Sequence, residues 1–302
     1  MDQMRQLILD TDIGSDVDDA MALALILGTP SLDLVAIHTV YGDTRLRSQL
    51  ARRYGALAGR DLTVVAGTAE PLSGRPVWWA GHEGTLHKDL DAETFAPGSA
   101  PEDLVARLQN NQGALDVVAI GPLTNLAAAL ELEPQAAQWI RHLWVMGGWF
   151  GADAEPEHNF KSDDVAARAV LTAGIPTTIT AIEITRQVSI TNDLLQRIRT
   201  AGPLGAALGA DIEQWWAYWN ETWNVPHDPV AVLTLTRPDL FALSEPGHVT
   251  IGADGLSTFT PDPAGTVRIV TELDAVAVAE EIAARIVAAA GSVAGETDGD
   301  GS

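Results

Sequence analysis

The chain of 302 residues contains no cysteine, which excludes disulfides, thiolate metal centres, iron–sulfur clusters and cysteine nucleophiles. Any metal must therefore sit on oxygen or imidazole. Lysine is nearly as scarce, represented only by Lys88 and Lys161. Lys and Arg number 18 against 41 Asp and Glu, a formal charge of −23, so there is no basic stripe for a nucleic-acid backbone or an anionic membrane. No apolar run reaches the ~20 residues that span a bilayer. Asp10 also interrupts the first apolar stretch before it could form a signal peptide. These absences predict a soluble, cytoplasmic protein with no nucleic-acid or membrane partner.

A chain of this length can bury roughly three quarters of its unfolded surface. Short β-branched runs alternate with helical patterns: Leu7–Leu9, Leu34–Val40, Leu62–Ala66, Val117–Ile120, Leu143–Met146 and Thr177–Ile184 read as buried strands. The alternation predicts an α/β fold, an open, mostly parallel, Rossmann-like sheet flanked by helices. A helix is expected over 204–223, a small antiparallel excursion over 246–274, and an alanine-rich helix over 275–290. With no repeat or linker-like break, residues 1–290 are read as a single domain and 291–302 as a disordered acidic tail. Several strands end in glycine (Gly42, Gly67, Gly121, Gly147). Ligands bind beyond the carboxyl ends of strands in open parallel sheets, which places the site among those loops.

The most informative segment is Leu7-Ile8-Leu9-Asp10-Thr11-Asp12-Ile13-Gly14-Ser15-Asp16-Val17-Asp18-Asp19-Ala20, five carboxylates where a strand becomes a helix. Helix capping accounts for Asp16 and Asp18. Asp10 and Asp12 end a buried strand, where mutual repulsion calls for a cation. Hard oxygen donors favour Ca²⁺ or Mg²⁺ over Zn²⁺.

Three further motifs follow in order: Gly121-Pro122-Leu123-Thr124-Asn125; Glu157-His158-Asn159-Phe160 with Asp163; and His227-Asp228-Pro229. Together with the opening segment they resemble the nucleoside hydrolases, the inosine–uridine-preferring family, over roughly residues 5–290. The opening departs from that family's Asp-x-Asp-Pro-Gly-x-Asp-Asp-Ala by Ile13 for proline and by two extra residues before Asp18-Asp19.

The resemblance implies calcium-dependent hydrolysis of the N-glycosidic bond of a ribonucleoside, giving ribose and free nucleobase, in purine or pyrimidine nucleoside catabolism by a homodimer or homotetramer. It implies Asp12 as both metal ligand and general base, with Asp19, the Thr124 carbonyl and Asp228 completing the calcium shell and Asp10 and Asp18 orienting the cluster. The two extra residues leave Asp16, Asp18 and Asp19 as competing candidates for the metal. Glu157 and Asn159 carry over as ribose-hydroxyl binders, and Asp43 and His82 as further substrate contacts. His227 either protonates the leaving base or orients its neighbours. Trp215, Trp219 and Trp223 recur every four residues, which predicts one indole face; Trp219 and Trp223 are candidates for stacking on the base. Two alternatives are a haloacid-dehalogenase-type phosphatase, which would need Thr or Val where Gly14 stands, and a non-catalytic nucleoside- or sugar-binding protein on the same fold.

Overall fold

The computed structural model describes residues 4–291. Among these, ten strands form one sheet: β1 (Arg5–Thr11), β2 (Leu32–Thr39), β3 (Val64–Ala66), β4 (Leu115–Ala119), β5 (Ile140–Met146), β6 (Thr177–Thr180), β7 (Phe241–Leu243), β8 (Gly247–Ile251), β9 (Ser257–Pro261) and β10 (Val267–Leu273). Their spatial order is β3-β2-β1-β4-β5-β6-β10-β8-β9, with β7 paired to β10. From β3 to β10 every pairing on that path is parallel, while β7, β8 and β9 pair antiparallel. The expected excursion is therefore present, except that β10 returns to extend the parallel sheet.

Successive β1 side chains enter opposite cores. Leu7 and Leu9 pack with the helices Asp18–Leu27, His227–Thr236 and Ala275–Gly291, whereas Ile8 packs with Ala100–Asn110, Thr124–Leu132 and Asp164–Leu171. This alternation is the two-residue period of a strand covered on both faces. The chain leaves β1 toward β2 and β3, then crosses back to β4 on the other side of β1. Order reversal of this kind opens a crevice at the carboxyl ends of β1 and β4. Those ends are Asp10 to Asp12 and Ile120 to Thr124.

Three sequence expectations shift. The run Thr177–Ile184 is strand only to Thr180, and Ile182–Thr185 forms a helical turn; a short apolar run does not by itself distinguish the two. The run Leu62–Ala66 is strand only from Val64. The helix expected over 204–223 is Pro203–Trp219, closed by Asn220 in the left-handed conformation (φ 56°), which asparagine adopts more readily than most residues. Trp223 therefore lies beyond the helix and does not share a helical face with Trp215 and Trp219. Apart from Gly291, which ends the last helix, the tail expected over 291–302 lies outside the described residues. Among the described residues, no helix is long and apolar enough to cross a membrane.

Candidate active site

A cavity of about 400 Å³ opens at the carboxyl ends of β1, β4 and β5. Its floor is acidic, with Asp12, Asp16, Asp18 and Asp19 from the β1 loop and the next helix, and Asp228 from the late helix His227–Thr236. Asp18, Asp19 and Asp228 are each at least 95% buried. Each presents a carboxylate oxygen within 4.8 Å of the others. The Asp228 amide, at a helix N-terminus, donates to Asp18 Oδ2 at 3.4 Å, and the Thr11 hydroxyl donates to Asp19. Burial first, and then neighbouring carboxylates, push all three acids well above the usual carboxylate range.

Asp10, one step behind this cluster, is raised to about 7 by burial, against a hydrogen bond from Asn125 and with a further upward push from Asp12. Its Oδ2 accepts from Asn125 Nδ2 at 2.8 Å, while its Oδ1 is buried without a hydrogen-bond partner among the described residues. Asp16 is also raised to about 7, by burial and then by Asp19 acting against the Val17 amide bond. The donor set fits a hard divalent cation: ligands on opposite sides of a calcium ion stand about 5 Å apart, and crowded carboxylates can ionise together only beside positive charge.

Gly121 allows β4 to pass the acid. A Cβ there would meet Asp12 Oδ1 at 2.7 Å and the Asp12 amide nitrogen at 3.0 Å. Thr124, three residues on, turns its hydroxyl to Asp163 Oδ2 at 2.7 Å and is not among the residues lining the cavity.

The opposite wall comes from the loop after β5. Glu157 caps the helix His158–Ser162, accepting from the amides of Gly148 and Asn159 at 2.9 Å and of Phe160 at 3.2 Å. Asn159 Nδ2 bridges the strand ends, donating to the carbonyls of Ile120 at 2.9 Å and Met146 at 3.1 Å. Glu157 and Asn159 both line the cavity.

Trp215, Tyr218 and Trp219, on the helix Pro203–Trp219, form the aromatic rim with Trp78. Trp215 and Tyr218 stack at 5.6 Å with an interplanar angle of 5°. His227 also lines the cavity. Its Nδ1 lies 2.6 Å from Thr185 Oγ1, and burial, followed by the charge of Arg186, lowers its pKa to about 4.

Three expected contacts lie off the wall. Asp43 is exposed and caps the helix Thr44–Leu57, accepting from the Leu46 amide at 3.0 Å. His82 places Nε2 2.8 Å from the Ser15 carbonyl and its ring edge-on to Trp215 and Tyr218, in a smaller adjoining hollow. Trp223 is 44% exposed and lies outside the lining for the helix-end reason given above.

Sequence reasoning missed Trp78, His158 and Tyr41. The Trp78 amide donates to the Tyr41 hydroxyl at 2.7 Å, and its ring stands edge-on to His158. Tyr41 is itself held at φ 67°, a costly conformation for a bulky residue. The paired tryptophans in Arg75-Pro76-Val77-Trp78-Trp79, isolated in a turn-rich loop, were the available signal. Arg47 was missed too: it is 1% exposed beneath the acidic loop.

The family model "Inosine-uridine preferring nucleoside hydrolase" matches residues 7–280. The chain belongs to that family. It is similar to "Probable uridine nucleosidase 1" of Oryza sativa subsp. japonica, 30% identical over 271 residues covering 84% of this chain and 83% of the relative. It is similar also to "Non-specific ribonucleoside hydrolase RihC" of Escherichia coli (strain SMS-3-5 / SECEC), 32% identical over 263 residues covering 82% and 84%. Among solved structures, a plant nucleoside hydrolase, the PpNRh1 enzyme, superposes with a TM-score of 0.84 at 26% identity, covering 94% of this chain and 99% of that one. This nucleoside hydrolase family member is thus an enzyme of the N-glycosidic hydrolase class, and neither the phosphatase nor the binding-protein alternative is favoured.

Proposed function

We propose that the enzyme cleaves a ribonucleoside to ribose and free base with the help of calcium. The observation that carries this reading is the meeting of Asp18 and Asp19 with Asp228, whose oxygens share one small volume although Asp18 and Asp228 are 210 positions apart in the chain. Asp12 lies beside them on the same cavity floor. When bound, a divalent ion acidifies water and grips vicinal hydroxyls. Asp12 takes the proton from the attacking water, whose oxygen bonds to the anomeric carbon as the C–N bond breaks and its electron pair leaves with the base. Asp18, Asp19 and Asp228 hold the charge that positions the diol, with the Thr124 carbonyl and Asp10 supporting the cluster. Glu157 and Asn159 face the sugar, and Trp215, Tyr218 and Trp219 offer flat surfaces to the base.

The same reading places the enzyme in cytoplasmic nucleoside catabolism as a homodimer or homotetramer. A reducing-sugar assay over purine and pyrimidine nucleosides, before and after chelation and calcium restoration, tests it. Release of ribose that needs calcium is expected. Full activity in verified metal-free protein would remove calcium, and no turnover of any nucleoside would remove the reading.

A further inference from the structure

Apolar packing holds the helix Pro203–Trp219 over only part of its length. Leu204, Leu208 and Ile212 are fully buried, but of the residues after Ile212 only Trp216 is buried, and Tyr218 and Trp219 are 44% and 56% exposed. The last two turns, which carry the aromatic rim of the cavity, therefore need another hold. Asp211, Gln214, Trp215 and Tyr218 stand three and four apart and so share a second face of the helix, and that face meets residues 81–89. Asp211 Oδ2 accepts from the buried Tyr54 hydroxyl and lies 2.9 Å from His87 Nε2. One turn on, Gln214 Nε2 donates to Thr85 Oγ1 at 3.0 Å. Beyond it, Trp215 and Tyr218 stand edge-on to His82, with ring centroids 6.0 and 5.3 Å away.

These contacts are unequal. The bond between Gln214 and Thr85 is open to solvent, where water competes for both groups. The side chains of His87 and Asp211 are only 7% and 14% exposed, and a hydrogen bond to a charged acceptor is among the stronger ones. Residues 81–89 are in turn tied to the acidic floor, because Glu83 Oε1 accepts from the Ser15 hydroxyl at 2.8 Å and His82 Nε2 lies 2.8 Å from the Ser15 carbonyl. We infer that Asp211 is a positioning residue that sets the aromatic rim at its distance from the acidic floor, and so governs the grip on the base without touching substrate. The mechanical role stands on the contacts alone, whereas its consequence for the base rests on the proposed function.

The test uses the full chain labelled with 5-fluorotryptophan, the fluorine signals of Trp215, Trp219 and Trp144 being identified by their loss in single Trp→Phe variants. Trp144, which lies under Arg5 at the start of β1, serves as the remote control. D211A is expected to move the Trp215 and Trp219 signals and leave that of Trp144 in place. Its nucleoside KM is expected to rise about 5–10-fold, part of the range of a lost aromatic stacking partner, with kcat and inhibition by free ribose each within about 2-fold of wild type, since only binding at the base end is weakened. D211N, which keeps an oxygen acceptor in the same place, should restore both the signals and KM. Rim signals unchanged in D211A, even with a lowered melting temperature, overturn the positioning role. Moved signals with an unchanged KM, or ribose inhibition weakened as much as nucleoside binding, overturn the link to the base. If D211A does not fold, Y54F decides: loss of one hydroxyl donor should move the Trp215 signal and raise KM about 2–5-fold, and no change in either overturns the inference. Absence of nucleoside turnover in the wild type would count against the proposed function alone, because the fluorine signals still report on Asp211.

Discussion

Arg47 donates through Nη1 to the main-chain carbonyl of Asp12, not to its carboxylate. The same guanidinium donates to the carbonyls of Ile13 at 2.9 Å and Tyr41 at 2.6 Å and lies 4.9 Å from the Trp79 ring centroid. A buried cation is costly unless its donors are satisfied. Carbonyl partners meet that need while leaving the Asp12 acid un-neutralised at the cavity wall. One side chain thereby fixes the β1 loop, the turn after β2 and the loop that carries Trp78.

Replacing Arg47 by methionine is expected to cost about 2–4 kcal/mol, because three carbonyls lose a charged donor at once. Urea unfolding measures this; a change below about 0.5 kcal/mol, the scale of an ordinary surface substitution, would contradict it.

Asp12→Ala is expected to lower turnover by about 10²–10⁴-fold, the range of a lost general base. Circular dichroism should match the wild type, because the Arg47 bond is to the main chain. Wild-type turnover in the folded variant would exclude Asp12 from the chemistry.

Asn125 donates to Asp10 and to the Thr39 carbonyl at 3.1 Å, and it accepts from the Thr68 amide at 2.8 Å. Asn125→Ala therefore strands two buried acceptors and the part-buried Thr68 amide, with an expected loss of about 2–4 kcal/mol, while Asn125→Asp adds repulsion against Asp10 and should lose more. Equal melting temperatures for the two variants would sink the argument.

The metal-free protein should grow less stable as pH rises. Asp10 and Asp16 bind protons up to about 7 in the fold, whereas an unfolded aspartate releases its proton near 3.9. Between those values the folded chain holds more protons, so stability falls with increasing pH. His227, lowered to about 4, acts oppositely, weakening the fold as pH drops below its unfolded value. His38 and His142, lowered by burial, act the same way, as do Asp103 and Asp239, which are held low; against them stand five raised aspartates, including Asp18, Asp19 and Asp228, together with the raised Glu157 and Glu183. Calorimetry after chelation should give a melting temperature at least ~5 °C higher near pH 5 than near pH 7.5. Added calcium should narrow that gap; the reverse order would refute the carboxylate account.

Trp219 and Trp223 separate a wall residue from a bystander. Trp219→Ala should raise KM about 5–100-fold, the range of a lost aromatic stacking partner, and Trp223→Ala should leave it near wild type. A Michaelis analysis with one nucleoside is sufficient; equal effects would refute the assignment.

The strand pattern and the acidic opening were legible because both are local. The continuous apolar run Leu7–Leu9 marks β1, and carboxylates at its end stand out whatever surrounds them. Three aspects were not legible. The end of the Pro203–Trp219 helix depends on the left-handed Asn220, so spacing alone carried Trp223 too far. Asp43 carries an acid where a family pattern suggests a ligand contact, but the start of a helix claims its side chain. Arg47 belongs to a helix with several arginines, and only the tertiary fold shows which one turns inward.

The contact between the Asp228 amide and Asp18 joins positions 210 apart in the chain. A polypeptide emerging from the ribosome exposes its first acidic arm 210 residues before its last. The proposed ion, if bound, would be captured only after both arms have assembled, and a fragment truncated before residue 227 would keep the conspicuous opening motif without Asp228 to close it.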